Sequence, residues 1–177
     1  MTLLWIALYF AALIAAASII TTTLIRGISP MPSTSKVMTA VEQALPKEIK
    51  GKVYELGCGF GALAVRIASL HPEGQVHAYE VSPIPWLVTF LRQKLYKQPN
   101  MTLHWDDFFR IDLGDATVVF CYLFPGAMER LQKKFEKELK PGTLVISNTF
   151  AIPGWEPEQV IKVPDLYRTK VYVYRAP

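Results

Sequence analysis

Three glycines at every second position, Gly57, Gly59 and Gly61, follow a short apolar run that contains Glu55. The whole segment, residues 53–62, has the sequence VYELGCGFGA. Glycine has no Cβ, so the backbone can turn sharply at these positions and a ligand can lie directly on it. The apolar run predicts a strand, and the following ALAVRIASL predicts a helix. We therefore expect a ligand to lie on this loop, over the N-terminus of that helix.

Two classes of ligand are bound by loops of this kind. Matched as G-x-G-x-x-A, Gly57, Gly59 and Ala62 fit the dinucleotide fingerprint, with Glu80 as its ribose-binding acid. Matched as E-x-G-x-G-x-G, the segment resembles motif I of the class I S-adenosylmethionine-dependent methyltransferases. The second match is favoured because it also accounts for the preceding acid and the third glycine. A turn that binds nothing needs only one or two glycines. The expected cofactor is S-adenosylmethionine.

Further acids lie where the next two predicted strands end, and ligands of open α/β sheets bind at those carboxyl ends. Glu80 ends the second strand, where its carboxylate can accept hydrogen bonds from both hydroxyls of a ribose. Asp106 and Asp107 end the third strand. The methyltransferase resemblance implies an acid there that accepts a hydrogen bond from the adenine amino group. We expect Asp107 in that role, with Phe108 and Phe109 as ring contacts or as core residues.

Strands and helices alternate along the rest of the chain. Predicted strands cover residues 53–56, 75–80, 101–105, 117–123 and 144–150, and predicted helices cover 37–45, 62–70, 86–96 and 125–140. Such alternation predicts an α/β fold with a doubly wound, mostly parallel sheet. The tail departs from it, because residues 159–163 and 170–174 predict two strands joined by a short turn. A closing antiparallel hairpin of this kind is part of the seven-stranded, Rossmann-like class I methyltransferase fold.

An almost continuously apolar, uncharged segment covers residues 3–25. As a helix it would be about 34 Å long, and a bilayer core is about 30 Å thick. A cleaved signal peptide is the alternative, but the basic n-region is missing. We therefore predict a transmembrane anchor over residues 1–26, a linker rich in Pro, Gly and Ser over 27–36, and a methyltransferase domain over 37–177.

Charge and cysteine content predict where the domain lies. Several basic residues, beginning with Arg26, follow the apolar segment, so the positive-inside rule places the domain on the cytoplasmic side. The expected localisation is a single-pass protein of the inner or plasma membrane, or of the mitochondrial inner membrane in a eukaryote. Cys58 lies in the ligand loop and Cys121 in a predicted strand, and neither suggests a disulfide framework.

Composition limits the remaining classes of function. The mean hydropathy of +0.21 comes largely from the apolar segment, and the other residues are enough for one domain with a core. The net charge is +4, and basic residues are densest in QKKFEKELK, residues 132–140. The apolar residues there recur at helical spacing, so the run predicts a helix whose basic residues lie on its solvated face. Because the charges lack interleaved aromatic residues, we expect no nucleic-acid partner. We also expect no metal ion.

Nearly the whole chain resembles the small membrane-anchored protein-lysine methyltransferases, whose mitochondrial members methylate the c subunit of ATP synthase or the adenine nucleotide translocase. The likeness rests on PMPSTSKV, ELGCGFGALAVRIA, DDFFRIDLGDATVVFCYLFPGAMERL and KELKPGTLVISNTFAIPGW. The chain differs in its compact region between strands three and four, without a large substrate insert. The resemblance and the loop together imply that the cofactor contacts Pro32, Thr34, Glu55, Gly57, Cys58, Gly59, Gly61, Glu80, Asp107, Phe108 and Tyr122.

A lysine acceptor must be neutral before it can be methylated, and at a reference pKa near 10.4 only about one part in 10³ to 10⁴ is neutral at pH 7. A dry, aromatic-lined pocket lowers that pKa by desolvation. At the carboxyl ends of strands four and five, or just after them, lie Tyr122, Phe124, Phe150 and Trp155, which could line such a pocket, with ordinary packing as the alternative. After strand four stands CYLFPG, not the Asn/Asp-Pro-Pro-aromatic signature of methyltransferases that act on bases or glutamine.

Three functions remain open. The first is a membrane-tethered methyltransferase that acts on lysine side chains of a membrane-embedded or membrane-adjacent protein. The second is a methyltransferase of the same fold that acts on a membrane-dissolved small molecule, such as a lipid amine or a quinone. The third is a non-catalytic module that binds S-adenosylmethionine, which the intact glycine loop and Glu80 disfavour.

Overall fold

The computed structural model describes residues 2–26 and 33–177. The described helices are α1 (Thr2–Arg26), α2 (Ser35–Ala44), α3 (Ala62–Leu70), α4 (Pro83–Leu95) and α5 (Pro125–Glu138). The described strands are β1 (Lys52–Leu56), β2 (Gln75–Tyr79), β3 (Met101–His104), β4 (Ala116–Cys121), β5 (Leu144–Asn148), β6 (Gln159–Lys162) and β7 (Lys170–Arg175). These elements confirm the alternation of strands and helices. Most strands end one or two residues earlier than predicted, which leaves Glu80 in a loop.

One seven-stranded sheet, in the order β3-β2-β1-β4-β5-β7-β6, unites the described strands. Strands β1 to β5 pair in parallel, and β7 runs antiparallel to both β5 and β6. The doubly wound sheet and its closing hairpin are therefore as predicted. The strand order reverses between β1 and β4, and ligands of such sheets bind at this switch point. The glycine loop leaves β1 there.

Apolar side chains pack on both faces of the sheet. One cluster joins α2 and α3 to the strands through residues such as Val41, Leu63 and Ile67. The other joins α5 to the opposite face through residues such as Leu131 and Phe135. Helices α2, α3 and α5 bury their apolar sides against the sheet, as the 3.6-residue spacing requires. The core therefore fixes the glycine loop between two rigid layers.

The connection from β3 to β4 is short, as predicted. Residues 105–115, all of them described, contain no helix. Helix α5 holds this segment, because the carboxylate of Glu138 accepts a hydrogen bond from the backbone N–H of Leu113 at 3.2 Å. Glu138 also pairs with Lys134 at 2.7 Å. The end of the compact connection, just before β4 begins, thus lies against the C-terminal end of α5.

The N-terminal segment is helical, but the prediction of a membrane span is not confirmed. Within residues 2–26 and 33–177, no helix meets the length and apolarity required to cross a membrane. Helix α2 begins at Ser35, so the last two residues of the predicted linker are helical. Pro32, predicted to contact the cofactor, lies outside the described residues.

Candidate active site

The glycine loop has a backbone that only glycine adopts without strain. Gly57, Gly59 and Gly61 have φ angles of +78°, +55° and +70°. The backbone N–H groups of Gly57 and Cys58 both donate to the carbonyl oxygen of Tyr79, at 3.0 and 2.9 Å. The last residue of β2 therefore holds the start of the loop. The three predicted glycines are brought together as expected.

Helix α4 supports the glycine loop through Thr89, a residue that was not predicted from the sequence. Thr89 is 0% exposed, and its hydroxyl donates to the carbonyl oxygen of Gly59 at 2.8 Å. A Cβ on Gly61 would lie 2.3 Å from Thr89 Cγ2, so only glycine fits there. A polar residue on the apolar side of a predicted helix was the signal in the sequence.

Gly59 presents the open side of the loop. A Cβ built there meets no atom within 4 Å among the described residues. The loop is therefore closed toward α4 and open above Gly59, where a ligand can approach the backbone. This geometry suits the cofactor class that the motif predicts.

Glu80 joins two loops of the site. Its Oε2 accepts the N–H of Gly59 at 2.9 Å, and its Oε1 accepts the N–H groups of Val81 and Ser82 at 2.9 and 2.7 Å. The side chain is 8% exposed. A carboxylate has about four lone-pair sites, so these three bonds leave capacity for a ligand hydroxyl. The contact of Glu80 with a ribose stays a prediction. Glu80 also braces the glycine loop by accepting the N–H of Gly59.

Glu55 carries a carboxylate oxygen without a partner. The residue is 4% exposed, the N–H of Ala64 donates to its carboxylate, and Oε2 has no hydrogen-bond partner among the described residues. Burial, with a smaller effect from the charge of Glu80, raises the pKa of Glu55 to about 8. An unpaired buried acceptor is costly, and a cationic ligand group would satisfy it. The α-ammonium group of S-adenosylmethionine has the required charge, so the residues present fit the cofactor.

The side chain of Cys58 is buried in the core. It is 7% exposed and packs in the core cluster with α2 and α3. Burial raises the pKa of the Cys58 thiol well above its usual value, so the thiol stays protonated. Cys58 therefore contributes to the loop through its backbone, and its thiol is not a nucleophile.

The predicted adenine end lies in the turn after β3. Asp107 caps this turn, since its Oδ1 accepts the N–H of Phe109 at 3.0 Å. The ring of Phe108 comes within 3.8 Å of a Cβ built on Gly57, so it lies beside the glycine loop. Phe109 instead lies under the guanidinium of Arg130, 3.6 Å from its ring centre. Phe108 is placed to contact a ligand, and the adenine role of Asp107 stays a prediction.

The four predicted acceptor residues do not share one cluster. Tyr122 packs beside the α2 and α3 cluster, whereas Phe124, Phe150 and Trp155 pack beside the α5 cluster. Trp155 contacts Phe135 and Tyr174 with ring centres 6.1 and 6.0 Å apart, and its indole N–H donates to Glu136 at 3.3 Å. These contacts match ordinary packing, the alternative to a pocket role for Trp155. The acceptor-pocket roles of these residues stay predictions.

Thr149, directly after β5, has a strained backbone. Its φ is +69°, a conformation that is rare for a β-branched residue. The carbonyl of Lys170 holds it by accepting its N–H at 2.8 Å, and the neighbouring Asn148 is 2% exposed. Strain of this kind occurs often at functional sites. Nothing in the sequence indicated this residue, because the strain comes from pairing with β7.

Thr34 has a structural role at the start of α2. Its hydroxyl accepts the N–H of Val37 at 3.3 Å as an N-cap. Its predicted cofactor contact stays a prediction. Among the described residues, no group of three or more His, Cys, Asp and Glu side chains is placed to hold a metal ion.

Comparison with known proteins agrees with this site. The chain is similar to a protein-lysine N-methyltransferase of Saccharolobus islandicus, 32% identical over 136 residues, which cover 76% of this chain and 84% of the relative. It is also 31% identical over 116 residues to the adenine nucleotide translocase lysine N-methyltransferase of Mus musculus. That match covers 63% of this chain and 48% of the mouse protein, so it spans about half of that relative.

A solved structure agrees in fold. The RNA methyltransferase of Salinibacter ruber, crystallised with S-adenosyl-L-homocysteine, superposes with a TM-score of 0.75 and 26% identity, covering 83% of this chain and 94% of that one. The family model of the ANTKMT methyltransferase domain matches residues 55–159, from the first acid of the glycine loop to the start of β6. The chain therefore belongs to the ANTKMT methyltransferase domain family and is an S-adenosylmethionine-dependent methyltransferase.

Proposed function

We propose that this enzyme methylates the side-chain amine of lysine residues in a protein acceptor. The observation that carries the cofactor half of the proposal is the open backbone at Gly59, together with the buried carboxylate oxygen of Glu55 that has no partner among the described residues. The acceptor half is supported by the similarity to two lysine N-methyltransferases.

The protein's part in the reaction is to position two reactants and to exclude water. The cofactor, when bound, would supply a sulfonium methyl group for in-line transfer to the neutral amine nitrogen, with the thioether S-adenosyl-L-homocysteine as the leaving group. Glu55 would bind its α-ammonium group, and Glu80 its ribose hydroxyls. The buried Thr89 keeps the loop in the shape that makes both contacts possible. Tyr122 and Phe150 would desolvate the acceptor amine and so favour its neutral form.

A nucleic-acid acceptor is the second candidate, because the similar Salinibacter ruber protein is an RNA methyltransferase. The sequence after β4 lacks the signature of base methyltransferases, which favours the protein acceptor. A lipid amine or quinone is the third candidate. The three candidate acceptors would carry the methyl label into different fractions of a cell extract, namely protein, nucleic acid and lipid.

The test is to incubate the full-length enzyme and a membrane extract with methyl-labelled S-adenosylmethionine. Protein, lipid and nucleic acid are then separated, and labelled protein is hydrolysed to amino acids. We expect label in methylated lysine, and none with a Gly61→Val variant, whose loop cannot form beside Thr89. Label confined to lipid or to RNA would refute the protein acceptor without refuting methyl transfer.

The localisation is also a proposal: the catalytic domain acts at the cytoplasmic face of a membrane. What supports it is the apolar segment of residues 3–25 and the basic residues that follow. In the structure, α1 leaves large apolar side chains exposed, among them Leu3 at 82% and Trp5 at 65%. Fractionation of cells that express the tagged protein tests this proposal, and recovery in the soluble fraction alone would refute it.

A further inference from the structure

The turn between β6 and β7, residues 163–169, stands at the catalytic edge of the sheet. Lys162, the last residue of β6, pairs with Lys170, the first residue of β7. The carbonyl of Lys170 accepts the N–H of Thr149, the residue directly after β5. The turn therefore extends beyond the carboxyl ends of the strands, on the edge that carries the glycine loop.

Hydrogen bonds hold this turn in one shape. The carboxylate of Asp165 accepts the N–H and the hydroxyl of Thr169 at 2.8 and 2.6 Å. The N–H of Val163 donates to the carbonyl of Thr169 at 2.8 Å. From α2, the ammonium group of Lys36 donates to the carbonyl of Pro164 at 2.7 Å. The turn is thus braced both internally and from the helix beside it.

Two large side chains stand at its tip. Leu166 is 89% exposed and Tyr167 is 80% exposed. Single exposed apolar residues are common on proteins and need no explanation. Here the two are adjacent, and a braced turn holds both away from the core.

Basic side chains surround this tip. Lys36, Lys162, Arg168 and Lys170 are all exposed, on the turn itself or directly beside it. The acid of the turn, Asp165, is occupied by Thr169. The tip is therefore an apolar pair within a positively charged collar.

We propose that this turn docks on the surface of an anionic lipid bilayer. Leu166 and Tyr167 enter the boundary between headgroups and acyl chains, a position that tyrosine favours, and the surrounding cations meet anionic headgroups. The two exposed apolar side chains with four cations on or beside the turn fit a headgroup layer better than a single acidic pocket on a protein. Docking in this way turns the catalytic edge toward the membrane. The proposal does not depend on the identity of the methyl acceptor.

A fluorescent probe on the turn tests this in the full-length protein. A Leu166→Cys variant carries an environment-sensitive dye, and a Glu73→Cys variant, exposed in the loop before β2 at the opposite edge, is the matched control. The two native cysteines are buried and stay unlabelled. Because the dye reports only its own surroundings, binding of vesicles by other parts of the chain does not count.

On phosphatidylcholine vesicles with added phosphatidylglycerol, we expect the emission at position 166 to shift to the blue and to be quenched by brominated acyl chains. The dye at position 73 should show neither change. Added salt and an Arg168→Gln/Lys170→Gln double substitution should reduce the shift, since both weaken the attraction to anionic lipid.

A second comparison uses the unlabelled protein. Leu166→Ser should lower the affinity for anionic vesicles more than Leu95→Ser, which removes a leucine of 75% exposure from α4. Equal losses, an aqueous emission at position 166 on vesicles, or no binding of vesicles would each overturn the proposal. A shift that appears only with detergent-solubilised membrane protein would assign the turn to a protein partner instead.

Discussion

The hydroxyl of Thr89 lies 2.8 Å from the carbonyl oxygen of Gly59 and donates a hydrogen bond to it. This bond connects α4, which follows β2, to the loop that follows β1. Glu80 connects the same two segments from the other side by accepting the N–H of Gly59. Both backbone polar groups of Gly59 are therefore held by side chains from the β2–α4 region. The shape of the cofactor loop depends on a helix that carries none of its motif.

Replacing Thr89 by Val should weaken S-adenosylmethionine binding. The shape of the side chain is kept, but the buried carbonyl of Gly59 loses its donor, which costs about 1–3 kcal/mol. We expect this cost to be divided between stability and cofactor affinity. Thr89→Ser keeps the hydroxyl and should restore most of the affinity in calorimetry. A Thr89→Val protein with the wild-type dissociation constant would show that the hydroxyl does not shape the loop.

Gly61→Ala should destabilise the enzyme more than Gly142→Ala. Both glycines have positive φ angles, +70° and +86°, so both substitutions carry backbone strain of about 1–2 kcal/mol. A Cβ at Gly61 also meets Thr89, whereas one at Gly142 meets nothing within 4 Å among the described residues. Overpacking adds about 1–3 kcal/mol. Denaturant titration measures the difference, and equal losses would mean that Thr89 moves aside freely.

From the sequence we could predict the parts of this site whose residues recur at fixed intervals. Gly57, Gly59 and Gly61 could be identified because the loop needs glycine at fixed positions, and the alternation of strands and helices predicted a mostly parallel sheet with a closing hairpin. Thr89 was missed because a single polar residue on the apolar side of a helix is a weak signal. The strain at Thr149 was missed because it comes from pairing with Lys170, which lies far away in the sequence.

Aromatic residues after the strands were harder to interpret for a different reason. Trp155 follows β5 in sequence, as an acceptor-pocket residue would, but the chain turns back and packs it against α5. A side chain's position along the sequence does not determine which face of a loop it occupies. The same limit applies to Phe108 and Phe109, which are adjacent and yet contact the glycine loop and α5 respectively.

Glu80→Ala should weaken cofactor binding by about 1.5–3 kcal/mol, the range for hydrogen bonds to a charged group. The ribose hydroxyls would lose their acceptor, and the N–H of Gly59 would lose its brace. Glu73→Ala, an exposed acid before β2, is the control and should bind as the wild type does. Calorimetry with S-adenosyl-L-homocysteine measures both variants. Unchanged binding by Glu80→Ala would show that Glu80 acts only within the protein.

Glu55 should make the stability of the cofactor-free enzyme depend on pH. Its pKa in the folded protein is raised from 4.5 to about 8, chiefly by burial. The folded state therefore binds the proton more tightly than the unfolded state, and this contribution to stability falls as the pH rises from about 4.5 to 8. Glu55→Gln lacks this titration, so its melting temperature should fall less than that of the wild type between pH 6 and about 8. Parallel curves for the two proteins would contradict the assignment.

Cofactor binding should release a proton from the same group. A cationic α-ammonium group near the unpartnered oxygen of Glu55 favours the carboxylate, so the pKa falls on binding. Calorimetry at pH 7 in buffers of different ionisation enthalpy counts the protons released. The wild type should release a fraction of one proton per cofactor, and Glu55→Gln should release less. Equal proton release would place the ammonium group elsewhere.

Removing residues 1–26 should leave cofactor affinity unchanged. The described residues that shape the glycine loop, among them Glu55, Thr89 and Glu80, all lie after Thr34, and α1 packs against α4. Calorimetry on the full-length and truncated proteins measures this directly. If α1 also brings the enzyme to its acceptor, truncation should reduce methyl labelling of membrane proteins, because effective concentration at the bilayer falls. Equal labelling by both proteins would exclude that role. A loss of cofactor binding on truncation would instead show that α1 supports α4 and, through Thr89, the loop itself.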